Sequence, residues 1–210
     1  MAFDIGILGS GGQADEAESY LSGGVKAIFR AVNKEYLSND KPFLIDISNP
    51  SNYHKSLSVL AAVGTPTLRQ AMVNQWSGSQ YTTIQAEDSY VDASAVVGEG
   101  SIIAPNAVIT TNVKIGNHNI INASATISHN SSTGDFVTVS PGAHIAGNVT
   151  LGNGVFIGIG ATVSNRVKIA AGSVIGAGAV VIDDIDIENS VVVGVPAKTI
   201  RINEGWLNEL

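Results

Sequence analysis

The 210-residue sequence contains no cysteine, so disulfides, thiolate metal sites and cysteine nucleophiles are all excluded. Charge is sparse as well: Asp, Glu, Lys and Arg make up 14% of the chain, the net charge is −7, and no run of Lys and Arg exceeds two residues. The basic footprint that a nucleic-acid partner needs is therefore missing. Long hydrophobic runs are absent too, which argues against a membrane-inserted segment. The opening "MAFDIGILGSGG" carries Asp4 where a secretory leader would be basic, and its apolar run is short. A soluble, cytoplasmic protein is the expectation. What is abundant is apolar residues, 44% of the total, enough to fill a sizeable core.

Those apolar residues recur every six positions in the second half. Val91, Val97, Ile103, Ile109, Ile115, Ile121 and Ile127 are followed, after one interruption at Thr133, by Val139, Ile145, Leu151, Ile157, Val163, Ile169, Ile175, Val181 and Ile187. Four residues after most of these comes a small or apolar residue, among them Ala107, Ala125, Ala143, Ala161 and Ala179. A period of six matches neither a helix nor a simple two-residue alternation; it is the mark of a hexapeptide β-helix. Three hexads close one triangular coil of 18 residues, with branched side chains filling the prism and coils stacked about 4.8 Å apart. No insertion interrupts this register between 91 and 187.

The first half alternates strands and helices. "FDIGIL" (3–8), "VKAIFRAV" (25–32), "FLIDI" (43–47), "SVLAAV" (58–63) and "YTTIQA" (81–86) have the composition of strands. "QADEAESYL" (13–21) and "TPTLRQAMVNQW" (65–76) have that of helices, the latter with Pro66 at its start and Thr65 as its cap. The fold class expected is an α/β Rossmann-like domain, residues 1–86, followed by a parallel β-helix domain, residues 87–210. The turn "GSGG" (Gly9, Ser10, Gly11, Gly12) after the first strand suits phosphate approach to a helix N-terminus. It holds only two glycines of the dinucleotide fingerprint, with Asp15 and Glu16 where the third belongs, so NAD is not expected.

The "GSGG" turn, "AAVGTPTLRQAM", the hexads around "ISHNSSTGDFVTVSPGAHIAGNVTLGNGVFIGIGATV" and the closing "VVVGVPAKTIR" together resemble the sialic-acid O-acetyltransferase and nucleotide-sugar N-acetyltransferase family. The resemblance covers nearly the whole chain and implies a left-handed β-helix. It also implies a homotrimer in which acetyl-CoA lies between neighbouring prisms, with no metal. Its cofactor contacts would fall on Gly147, Ile159, Ala177, Gly194, Pro196 and Lys198. Gly9, Ser10, Gly11, Gly12 and Gln13 would hold a nucleotide-sugar or sugar acceptor.

His129 lies two positions after an inward isoleucine, at an outward corner, and one coil further along its column stands Gly147. Acetyl transfer needs a base for the acceptor's proton and a donor for the oxyanion. The resemblance assigns those jobs to His129 and the Gly147 N–H, with Asn122 orienting the base or the acceptor. The sequence departs from the family at Gln13, where a histidine is usual, at Ser128 and Asn130, where carboxylates flank the base, and in "FRAVNKEYL", which lacks the usual acid after the second strand. N-acetylation of a nucleotide-linked amino sugar for surface glycan synthesis is the leading expectation. O-acetylation of sialic acid or another sugar hydroxyl, and a catalytically silent binding trimer, stand as alternatives. Zinc hydration chemistry is not expected, because His118, His129 and His144 occupy three different hexad positions. His118 and His54 read as surface residues.

Overall fold

A computed structural model describes residues 3–204. A four-stranded parallel sheet comes first, built from β1 (Asp4–Leu8), β2 (Lys26–Val32), β3 (Leu44–Asp46) and β4 (Ser58–Ala61) in the order β3-β2-β1-β4. Helices α1 (Gly12–Ser19), α2 (Asn52–Lys55) and α3 (Pro66–Gln75) join or flank these strands. Ile7, Ala14, Ala17 and Leu60 bury α1 against the sheet, and Leu8, Phe29, Val59 and Trp76 form a second cluster. Pro66 opens α3 as expected, whereas the Thr65 side chain makes no capping hydrogen bond.

The remainder is a three-faced parallel β-helix. Face 1 contains Ile102–Ile103, Ile120–Ile121, Thr138–Val139, Phe156–Ile157 and Val174–Ile175; face 2 contains Val108–Ile109, Thr126–Ile127, His144–Ile145 and Thr162–Val163; face 3 contains Lys114–Ile115, Ser132–Thr133, Thr150–Leu151 and Lys168–Ile169. Strands pair in parallel with partners 18 residues away, as Ile121 does with Ile103 and Val139. The inward isoleucines and valines form one continuous core. From Gly100 to Gly178 every sixth residue, one per corner, has positive φ, and Asn106, Asn112, Asn130 and Asn148 occupy such positions, where asparagine is tolerated better than most residues.

Two expectations are corrected. Residues 81–86 divide between the two parts: Tyr81 makes a single parallel bridge to Val59 of β4, whereas Ile84–Gln85 pairs with Ile102–Ile103, because it stands one 18-residue coil before them. Ile187 is exposed rather than inward. The chain shortens after Val181, so Ile185 instead of Ile187 aligns with Ile169, and the Asp184 carboxylate accepts the Lys168 N–H at 2.8 Å. Thr133, the break in the hexad pattern, is buried and serves a polar knot inside the prism. Its hydroxyl accepts from Asn119 Nδ2 at 2.7 Å and from the Gly116 N–H at 3.2 Å.

The two parts of the chain are joined through Arg69, which is fully buried. Its guanidinium donates to the carbonyls of Val63 (2.6 Å) and Gly64 (3.1 Å) below α3, and to those of His118 (2.8 Å) and Phe136 (2.8 Å) on the prism. It also donates to Thr138 Oγ1 at 3.0 Å, and that hydroxyl donates in turn to the Gly64 carbonyl at 2.7 Å. Burial lowers the Arg69 pKa to about 9, which leaves it charged at neutral pH. The cation is solvated by carbonyls from both domains in place of water.

Candidate active site

His129 stands on the edge where face 2 turns into face 3, and Gly147 is the next residue along that column. A Cβ at Gly147 would come within 2.5 Å of the imidazole Cε1 and 2.6 Å of Nε2, so the ring lies against a surface only glycine offers. Nδ1 is 3.1 Å from the side-chain amide nitrogen of Asn130. The two ends of that amide have the same shape. With Oδ1 turned to the ring it accepts the Nδ1–H and leaves Nε2 with a free lone pair. On either side of Gly147 the main-chain amides are spent, Ala146 N–H on Val163 (3.0 Å) and Asn148 N–H on His129 (2.9 Å). The Gly147 N–H itself has no partner among the described residues. One edge thus carries a proton acceptor beside an unspent donor.

A second group of expected residues gathers on the neighbouring edge, between faces 1 and 2. A cavity of about 310 Å³ opens there between α1 and the prism, with Gln13, Glu16, Asn122, Phe156, Ile159 and Ala177 in its lining. Asn122 is only 6% exposed, yet its side chain has no hydrogen-bond partner among the described residues. Ile159 is exposed, apolar and open to a ligand. Beyond Ala177 the sheet ends in a hairpin from Ser190–Gly194 to Ala197–Ile202, which brings Gly194, Pro196 and Lys198 to the surface of the last coil. The Val195–Pro196 peptide in it is cis.

The glycine turn after β1 leads into α1, whose Gln13 lines this cavity. Gly9 has φ +117°, and a side chain there would press on the Ala62 carbonyl, which explains glycine at that position. Ser10 follows, Gly11 caps α1, and Gly12 and Gln13 begin it. First-turn amides of a helix have no carbonyl ahead of them and suit an anion. A Cβ on Gly11 or Gly12 would meet nothing within 4 Å, so the approach is open. Of this group, Gln13 alone reaches the cavity lining.

Within one chain, His129 and Gly147 are brought together, and Asn122 joins Ile159, Ala177 and Gln13. The two groups sit on different edges of the same prism, and Asn122 makes no contact with His129. His144 lies on face 2, where Nδ1 is 3.0 Å from Thr126 Oγ1. His118 corrects the expectation of a surface residue: it is 6% exposed, stacked on Phe136 (centroids 5.1 Å apart) and met edge-on by Tyr81 (4.6 Å). Burial first, then the Arg69 charge, lowers its pKa to about 4, against a smaller opposing effect of Asp135. Arg69, Glu16 and Thr138 were not legible as site residues. The one signal for Arg69 is that it is the only charged residue in α3, "PTLRQAMVNQ".

The family model "Bacterial transferase hexapeptide (six repeats)" matches residues 94–129. No curated protein sequence matches the chain. Among solved structures, a mutant of perosamine N-acetyltransferase from Caulobacter crescentus, in complex with CoA and GDP-perosamine, is 26% identical with a TM-score of 0.84. The match covers 94% of this chain and 96% of that one. The acetyltransferase domain of PglB from Neisseria gonorrhoeae, in complex with acetyl coenzyme A, is 25% identical over 95% of this chain and 100% of the other, with a TM-score of 0.81. WeeI from Acinetobacter baumannii is also 25% identical, over 93% and 99%, with a TM-score of 0.80. The likeness extends over both domains and identifies the coil as a left-handed parallel β-helix.

Proposed function

Because the chain belongs to the hexapeptide-repeat nucleotide-sugar acetyltransferase family, we propose that it moves an acetyl group from acetyl-CoA to the amine of a nucleotide-linked amino sugar. The observation that carries this reading is the His129 imidazole lying on Gly147 beside an unspent main-chain N–H. His129 Nε2 takes the proton of the amine as its nitrogen bonds to the thioester carbonyl carbon. The Gly147 N–H holds the oxygen that becomes negative. His129 then returns the proton to the departing sulfur as the C–S bond breaks, so that the products are an amide and free CoA.

The acceptor and cofactor corner of one prism does not meet its own His129. The working site is therefore assembled between copies, with His129 and Gly147 from one protomer facing Asn122, Ile159 and Ala177 of the next. A homotrimer closes such contacts around a threefold axis without leaving an unpaired surface. The phosphates of the acceptor would approach the first turn of α1 at Gly11 and Gly12, and its sugar would enter the cavity beside Gln13. Among the described residues, no helix is long and apolar enough to cross a membrane.

The test is thiol release. Purified protein, acetyl-CoA and UDP-, GDP- or dTDP-linked amino sugars should yield free CoA. His129→Ala should cut the rate about 10²- to 10⁴-fold. Absence of release with every acceptor, or full turnover in the variant, contradicts the proposal.

A further inference from the structure

We infer that Glu16 makes the acceptor cavity selective for a protonated amine over the corresponding hydroxyl, an inference that rests on the reading of this cavity as the acceptor site. Helix α1 carries three carboxylates, and two of them have a cation. Arg30 of β2 binds Asp15 and Glu18 at 2.6 Å each. Glu16 has no cationic partner among the described residues. Among the described residues its carboxylate accepts a hydrogen bond only from the Gln13 amide, at 3.5 Å. It is the one ionisable side chain in the cavity lining, and the rest is neutral or apolar.

The neutral polar groups beside it favour the same ligand. The Asn122 side-chain amide has no hydrogen-bond partner among the described residues, and Gln13 is half-buried on the same wall. Asn122 and Gln13 each offer a carbonyl oxygen, so together with the Glu16 carboxylate three acceptor groups line one small space. A primary ammonium brings three N–H donors and a positive charge; a sugar hydroxyl brings one donor and none. Only the ammonium satisfies all three acceptors and compensates the carboxylate. Phe156 and Ile159 make another part of the wall apolar, so Glu16 is the one charge the lining presents. The contact is made to the ammonium, which gives one proton to water to become the neutral amine that attacks, so it acts on affinity rather than on the rate of the chemical step.

The experiment compares equilibrium binding, by calorimetry on the full chain near neutral pH, of matched nucleotide sugars. Each pair carries either an amine or a hydroxyl at the same carbon, on UDP, GDP and dTDP carriers. The expected result is an about tenfold preference for the amine within the tightest-bound pair, falling below about twofold in Glu16→Gln. Glu16→Asp, which keeps the charge on a shorter stem, should restore part of the preference. In the unaltered protein the preference should also fade as pH rises through the amine's own pKa. Equal binding of amine and hydroxyl, or a preference that survives Glu16→Gln, overturns the inference. CoA release is scored separately: its absence counts against acetyl transfer, while the amine preference remains measurable by binding alone.

Discussion

The imidazole of His129 covers the Cα of Gly147 one coil further on, so closely that a methyl group there would overlap Cε1 at 2.5 Å. His129 and Gly147 are therefore one structural unit. A change at either position disturbs both, and their effects should not add.

Gly147→Ala is expected to push the ring aside and crowd the thioester carbonyl, lowering turnover about 10²-fold. The ring is exposed and free to rotate away, so melting temperature should change little. Combining it with His129→Ala should lower the rate no further than His129→Ala alone. Rates and melts of the two single variants and the double variant check this.

Replacing Arg69 removes the donor shared by carbonyls of both domains. Arg69→Lys retains the charge but offers a point where the forked guanidinium bridges α3 and the prism. It should lose about 3–5 kcal/mol in chemical denaturation, because buried carbonyls are left unpaired. A loss under about 1 kcal/mol would mean that the domains are held mainly by apolar contact.

His118 makes stability fall in acid. Its folded pKa is about 4 against an ordinary 6.5, so below pH 6.5 the unfolded chain takes up a proton that the folded chain refuses until about pH 4. The contribution is complete above pH 6.5, declines as pH falls toward 4, and levels off below; it is worth about 2 kcal/mol. His118 has φ +54°, so the suitable replacement is Asn, which accepts that backbone. The fall in stability between pH 6.5 and 4 should be smaller in His118→Asn than in the unaltered protein, as urea denaturation across that range would measure.

Thr133→Val restores the hexad pattern and should nevertheless destabilise the protein by about 1–3 kcal/mol. The methyl group fills the same space, but the Gly116 N–H loses its acceptor and Asn119 Nδ2 is left with only the Gly134 and Gly116 carbonyls. Adding Asn119→Leu to Thr133→Val should deepen the loss, since the Val137 N–H and the Gly134 carbonyl then lose their Asn119 partner as well. Thermal melts of the single and the double variant test it.

The prism was legible because its rule is local: every sixth residue faces inward, so residues such as Ile121 and Val139 name their own positions. The rule failed where a local rule must. Ile187 keeps the spacing but loses its place because the chain shortens after Val181, and Ile84 joins a coil that its own segment does not announce. The pairing of His129 with Gly147 followed from one coil length. The Arg69 and Glu16 contacts did not, since each depends on how α3 and α1 settle on face 1, a relation between segments distant in sequence. His118 escaped for a similar reason: only Phe136 and Tyr81, brought in from separate elements, cover it.

The central claim is that the His129 edge of one copy works with the Asn122 edge of its neighbour, and subunit mixing tests it most directly. His129→Ala and Ala177→Trp proteins, the second with its cofactor edge blocked, are co-expressed with different tags, and mixed assemblies are isolated through both. Each parent should be nearly inactive. A mixed trimer contains one intact edge pair among its three interfaces, so about one third of the unaltered activity should return. Mixed assemblies as inactive as the parents would contradict a shared site.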